Sequence, residues 1–160
     1  MPFTPFHFGP AATVALSGKR YLDLPTFVLI NVAIDIEPLL VMFFGLNYPL
    51  HGYCHTFLIS SLVAGLFSIV VYSGRRFTSR IMKILKLPYE TDFKKIIISS
   101  LLGAWFHVFL DASIYTDIRP FYPFRVNPFY GVVSIPMLYL LCGILLIPAL
   151  FLYFYQVKEE

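Results

Sequence analysis

Residues 24–46 read LPTFVLINVAIDIEPLLVMFFGL, with Asp35, Glu37 and Pro38 at the middle and no Lys or Arg. About 20 apolar residues are enough to cross a bilayer as a helix, so this stretch predicts a membrane span. A charged group at the centre of such a span costs roughly 2.5–3.5 kcal/mol on insertion scales, so stability alone would not select these acids. Residues two apart point to different sides of a regular helix. Asp35 and Glu37 therefore face one site only if the helix is interrupted, and Pro38 supplies the interruption: it removes a backbone donor and disfavours helical geometry in the residue before it. A broken helix at membrane depth is tolerated where protein or a water-filled cavity surrounds it. The stretch thus predicts a polar cavity around residues 35–38.

Three further apolar runs follow, at residues 55–73, 96–115 and 129–155. The chain is 58% hydrophobic and 13% charged, with a mean hydropathy of +0.75, whereas soluble domains carry about 25% charged residues. The expectation is an all-α integral membrane protein of four transmembrane helices, forming one domain over residues 1–160. The basic loop at 74–95 carries Arg75, Arg76, Arg80, Lys83, Lys86, Lys94 and Lys95 against Glu90 and Asp92, while residues 47–54 have no Lys or Arg. With Lys19 and Arg20 before the first span and Lys158 after the last, the positive-inside rule places residues 19–23, 74–95 and the C-terminus in the cytoplasm of a multi-pass plasma-membrane protein. The basic loop then reads as a topology signal at anionic lipid. A net charge of +3 is too small and local to argue for nucleic acid. Cys54 and Cys142 lie in or beside apolar runs without metal-ligand spacing and read as packing residues. Residues 1–10, MPFTPFHFGP, lack the basic start and long apolar core of a signal peptide and are expected to stay on the protein. Pro10 and Gly18 bracket a short N-terminal helix, too short to span. It is expected to be interfacial or re-entrant, with His7 just ahead of it.

All four histidines, His7, His51, His55 and His107, sit in or beside apolar segments that also hold Asp35, Glu37 and Asp111. In GAWFHVFLDASIY (103–115), His107 and Asp111 are four apart and share a helical face. The outer turn HGYCHT (51–56) places His55 at the start of the second span and His51 on the turn. At a rise of about 1.5 Å per residue, Asp35 and His107 lie roughly 18 Å above the inner face and Asp111 roughly 24 Å, with His55 near the outer edge. Groups from three spans thus converge in the outer half of the bilayer, and a buried His/Asp/Glu cluster is the usual make-up of a hydrolytic metal site.

The order of these pieces resembles the membrane-bound metal-dependent hydrolases known as the YdjM-like inner-membrane proteins. The matching pieces are His7, Ile34-Asp35-Ile36-Glu37-Pro38, His51-Gly52-Tyr53-Cys54-His55-Thr56, and His107 to Asp111 followed by Pro120–Phe124. Ile34 stands where that family usually has proline, Glu37 where it commonly has Asp, and His51 where it often has Arg. The resemblance implies a metal-dependent hydrolase.

On this reading one or two divalent metals, zinc being the expected ion, are held by His7, Asp35, His55, His107 and Asp111. Glu37 is the expected general base or bridging ligand, with Asp35 also catalytic. His51 is assigned to substrate binding, which requires it to be protonated for an anionic substrate. The site's depth favours an amphiphile, such as a phospholipid or polyprenyl phosphate ester, with the aromatic loop at 120–124 at headgroup level. The alternative is a non-enzymatic protein whose cluster binds metal structurally or relays protons in a small transporter-like bundle. The sequence leaves the oligomeric state open.

Overall fold

The computed structural model describes residues 5–158, and no strand occurs among them. Residues 1–4 and 159–160, the two ends of the expected domain, lie outside the described residues. In chain order the helices are α1 (Pro5–Ser17), α2 (Leu24–Ile34), α3 (Ile36–Phe44), α4 (Phe57–Ser73), α5 (Arg75–Ile84), α6 (Phe93–Ala112), α7 (Ile135–Ile144) and α8 (Leu146–Lys158), with a 3-10 turn at Tyr53–His55.

The stretch that opened the reading forms α2 and α3, separated by Asp35 alone, whose φ of −72° and ψ of −6° stay near helical values. The interruption is thus narrower than a break over residues 35–38. Pro38 explains its place: the Ile34 carbonyl loses its donor four residues on, and the proline ring crowds that carbonyl. The same device recurs at the other end of the chain, where Leu145 separates α7 from α8 three residues before Pro148. Leu24–Phe44, Phe93–Ala112 and Ile135–Lys158 are each long and apolar enough to cross a membrane. α4, at 17 residues, is shorter than these three and matches their length only together with α5, from which it is bent by 74°.

The expected spans shift at their ends for local reasons. Thr56 caps α4 by accepting a hydrogen bond from Ile59 N at 3.1 Å, which leaves His55 in the 3-10 turn instead of the helix. The last span starts at Ile135 instead of residue 129 because the chain first folds back over the end of α6. Asn127 Nδ2 donates to the Ala112 carbonyl at 2.9 Å, and Gly131 N donates to that of Ser113 at 3.0 Å. The basic 74–95 segment contains the helix α5, so it is not a plain loop. α1 begins at Pro5, ahead of the expected Pro10, so His7 is inside the helix.

Small residues let the helices approach. Ala64 of α4 and Ala104 of α6 are fully buried, and Ser100 Oγ donates to the Ala64 carbonyl at 2.9 Å. At Gly103 a side-chain carbon would stand 2.5 Å from Ile30 Cγ2 and 3.0 Å from the Phe27 carbonyl, so α2 crosses α6 there in near backbone contact. α1 is held between α2, α7 and α8. Ala11 and Ala15 are buried, Thr13 Oγ1 donates to the Leu145 carbonyl at 2.6 Å, and Gln156 Nε2 to that of Leu16 at 3.1 Å. Polarity runs opposite to that of a water-soluble domain: Asn31, Ser60, Ser68 and both His55 and His107 are fully buried, while Phe43, Leu66, Ile147 and Phe151 are exposed. This is the arrangement expected where lipid is the solvent.

Candidate metal centre

The helical interruption at Asp35, the 3-10 turn and α6 bring four side chains to one point. Asp35, His55, His107 and Asp111 are all buried, and one ligand atom from each lies within 4.8 Å of all the others. His107 Nε2 is 3.4 Å from His55 Nε2, 3.3 Å from Asp35 Oδ1 and 3.4 Å from Asp111 Oδ2. His55 Nε2 is 3.8 Å from Asp35 Oδ1 and 3.7 Å from Asp111 Oδ2. Tetrahedral zinc with ligands at about 2.0–2.2 Å requires ligand-to-ligand edges of about 3.4 Å. The three edges at His107 match that value and the two carboxylate edges at His55 are a few tenths wider.

The donor set fits a divalent cation on chemical grounds as well. Two imidazole nitrogens facing each other at 3.4 Å cannot both carry a proton without repulsion, and both face two carboxylates. A dication among two neutral imidazoles and two carboxylates gives a net charge of zero, which removes most of the cost of burying the acids. This cluster can hold a metal ion. Oxygen and imidazole donors without thiolate suit zinc and its first-row neighbours. Burial and the nearby Glu37 push the Cys54 thiol up to about 11, so it is a thiol at neutral pH, and it stands outside the four-donor set.

The remaining expected site residues surround this set without joining it. Glu37 lies behind His55. Its Oε2 is 3.4 Å from His55 Nδ1, on the ring edge away from the cluster, and accepts the Cys54 N–H at 3.0 Å. Asp35 and Glu37, two residues apart, thus face opposite ring nitrogens of one histidine, and Glu37 stands outside the four-donor set. His7 Nε2 is 3.1 Å from Asp111 Oδ1, and its ring lies 4.5 Å from that of His107. It is one carboxylate away from the cluster, so it supports Asp111 from outside the four-atom set. Asp111 Oδ1, His7 Nδ1 and His107 Nδ1 are buried without a well-formed hydrogen bond.

His51 is buried beside the centre, its ring 4.2 Å from Tyr115 and 4.9 Å from His55. Its backbone N–H donates to Asp117 Oδ2 at 3.2 Å, and its Nδ1 is 3.1 Å from both Asp117 oxygens. Burial and the neighbouring His55 nevertheless lower its pKa, so it is neutral at pH 7 and not the cation its expected role requires. Asp117 was not picked out from the sequence because it lies in an exposed loop 66 residues from its partner. A cleft of about 250 Å³ opens beside His51 and is bordered by Tyr48, Tyr53, Thr56, Tyr122 and two charged groups, Asp117, which faces His51, and Arg119. Arg119, not His51, supplies its positive charge.

No family model, curated protein or solved structure matches this chain. The functional reading therefore rests on the geometry of the site.

Proposed function

We propose that this chain is a four-span protein of the plasma membrane, with α1 as a re-entrant helix, that hydrolyses a phosphoester on a lipid or other amphiphile at one metal held by Asp35, His55, His107 and Asp111. Zinc is the proposed ion, and the resemblance to the YdjM-like membrane-bound hydrolases points the same way. The observation that carries the reading is the buried convergence of four oxygen and imidazole donors from separate helical elements within 4.8 Å. Structural zinc sites are dominated by thiolate, whereas His and carboxylate ligands are typical of hydrolytic ones.

A divalent metal held by these donors would supply Lewis acidity toward the ester and would make water a competent nucleophile near neutral pH, with Asp35, the more exposed carboxylate, as the donor that would give way to that water. Glu37 fixes His55 by accepting its Nδ1–H, which leaves Nε2 as the lone-pair donor to the centre. His7 stands 3.1 Å from the second oxygen of Asp111 and supports that carboxylate from outside the donor set. Asp35, with 11% of its side chain exposed against 3% for Asp111, is the more accessible carboxylate and the one assigned to receive the proton from the attacking water. Arg119 at the rim of the cleft is the fixed charge available to an anionic headgroup.

The test is turnover in liposomes. Zinc-loaded protein is expected to release phosphate or a phosphorylated headgroup from a panel of phosphatidic acid, phospholipid and polyprenyl phosphate substrates. Chelation should abolish release, and Arg119→Gln should raise KM more than it lowers kcat. Stoichiometric metal with no turnover on any member, together with coupled ion movement, would overturn the hydrolase reading in favour of a transporter-like one.

A further inference from the structure

The basic segment contains a helix with three distinct faces. At 100° per residue, Arg75, Arg76, Ser79, Arg80 and Lys83 fall on one side of α5, and Phe77, Ile81 and Ile84 on the opposite side. The apolar trio is exposed by 68%, 40% and 79%. The third face holds the helix to the bundle. Met82 is buried, Leu87 is buried and donates its N–H to the Met82 carbonyl at 3.0 Å, and Tyr153 Oη donates to the Leu85 carbonyl at 3.0 Å. The outward direction of Phe77, Ile81 and Ile84 is therefore fixed by packing.

The corner before α5 is equally defined. Gly74 ends α4, and α5 leaves at 74° to it. Arg75 closes the corner by donating to the Tyr72 carbonyl at 2.8 Å, its guanidinium 4.2 Å over the Tyr72 ring. If α5 continued α4 across the bilayer, three arginines and a lysine would enter hydrocarbon, which insertion strongly disfavours. Turned by 74°, the helix runs along the surface that α4 reaches.

We propose that α5 lies in the cytoplasmic headgroup layer, with Phe77, Ile81 and Ile84 immersed in the acyl boundary, and that its arginine face binds the phosphate of anionic phospholipid. Arg75, Arg76, Ser79 and Arg80 border an open cleft of about 420 Å³, closed on its other side by Tyr89 and Thr91. Clustered guanidinium groups beside an apolar face are the combination that recognises a phosphate tethered to acyl chains. This site is independent of the metal centre and shares with the proposed function only the membrane orientation.

Depth-resolved fluorescence tests it. With Trp105, the chain's single tryptophan, replaced by Phe, Phe77→Trp and Ser79→Trp report the two faces in vesicles of phosphatidylcholine and phosphatidylglycerol. Quenching by lipid brominated in the acyl chain is expected to be several-fold stronger for Phe77→Trp than for Ser79→Trp. Brominated phosphatidylglycerol should quench Phe77→Trp better than brominated phosphatidylcholine. Each basic residue near an anionic surface contributes about a fivefold preference at most, and the preference should fall toward parity in R75Q/R76Q/R80Q and in 1 M salt. Equal quenching of the two faces would overturn the interfacial placement, and strong quenching of both would show α5 crossing the bilayer. A lipid preference unchanged by the substitutions and by salt would overturn the phosphate site, without bearing on metal content.

Discussion

Glu37→Gln separates two roles that a carboxylate in this position can play. Glu37 Oε2 approaches His55 Nδ1 at 3.4 Å and accepts the Cys54 N–H at 3.0 Å. Gln preserves the shape and one acceptor but removes the charge that fixes the His55 tautomer and favours Nε2 as a ligand. Loss of such a supporting carboxylate costs about 10- to 100-fold in metal affinity, or about 1.4–2.7 kcal/mol. Removal of a ligand, as in Asp35→Asn, should cost more. The assay is competition for zinc against a chromophoric chelator of known affinity in detergent, with circular dichroism to confirm that the helices persist. A general base gives a different signature: metal affinity is retained while turnover falls by about 10²–10⁴-fold. Unchanged zinc affinity with collapsed activity would refute the assignment of Glu37 as the residue that holds His55.

Other consequences are equally open to measurement. Gly103→Ala places a carbon 2.5 Å from Ile30 Cγ2 and 3.0 Å from the Phe27 carbonyl, and overpacking of this kind costs about 1–3 kcal/mol. The variant should melt at a lower temperature in detergent, and an unchanged melting temperature would contradict the close crossing of α2 and α6. Gly9→Ala brings a carbon to 2.5 Å from the Cys142 carbonyl. It should displace α1, withdraw His7 from Asp111 and weaken zinc binding, while an unaltered affinity would remove His7 from the account. The His51 pKa is lowered in the folded protein, so its contribution to stability is present above its ordinary value of about 6.5 and is lost as pH falls through the folded value. In chelator, wild type should lose more melting temperature between pH 7.5 and pH 5 than His51→Gln, and parallel profiles would contradict the burial argument.

The sequence showed the helical character of the chain because its apolar runs are long and contain few charges, and residues 24–46 and 96–115 carry it most plainly. The meeting of Asp35, His55, His107 and Asp111 was legible too, because depth along a helix follows from residue count once the ends are placed. The faces of irregular segments were not. Glu37 reaches the rear of His55 because the chain is interrupted at Asp35, as Pro38 indicated, and returns through a 3-10 turn, which no spacing indicated. His7 depended on the helix starting at Pro5, with Pro10 accommodated in its first turns. Asp117 has no sequence pattern at all, since its contact with His51 is made by the fold of an exposed loop. The faces of α5 were present in the order of residues 75–84, but the dense positive charge read first as a topology signal.

The central claim is that buried Asp35, His55, His107 and Asp111 form a metal centre. Elemental analysis of protein purified without chelator tests it most directly. The account predicts close to one zinc, or another divalent first-row ion, per chain in the wild type, and little in Asp35→Asn or His107→Ala of unchanged helicity. A folded wild type with no stoichiometric metal, or variants that keep the full complement, would contradict it.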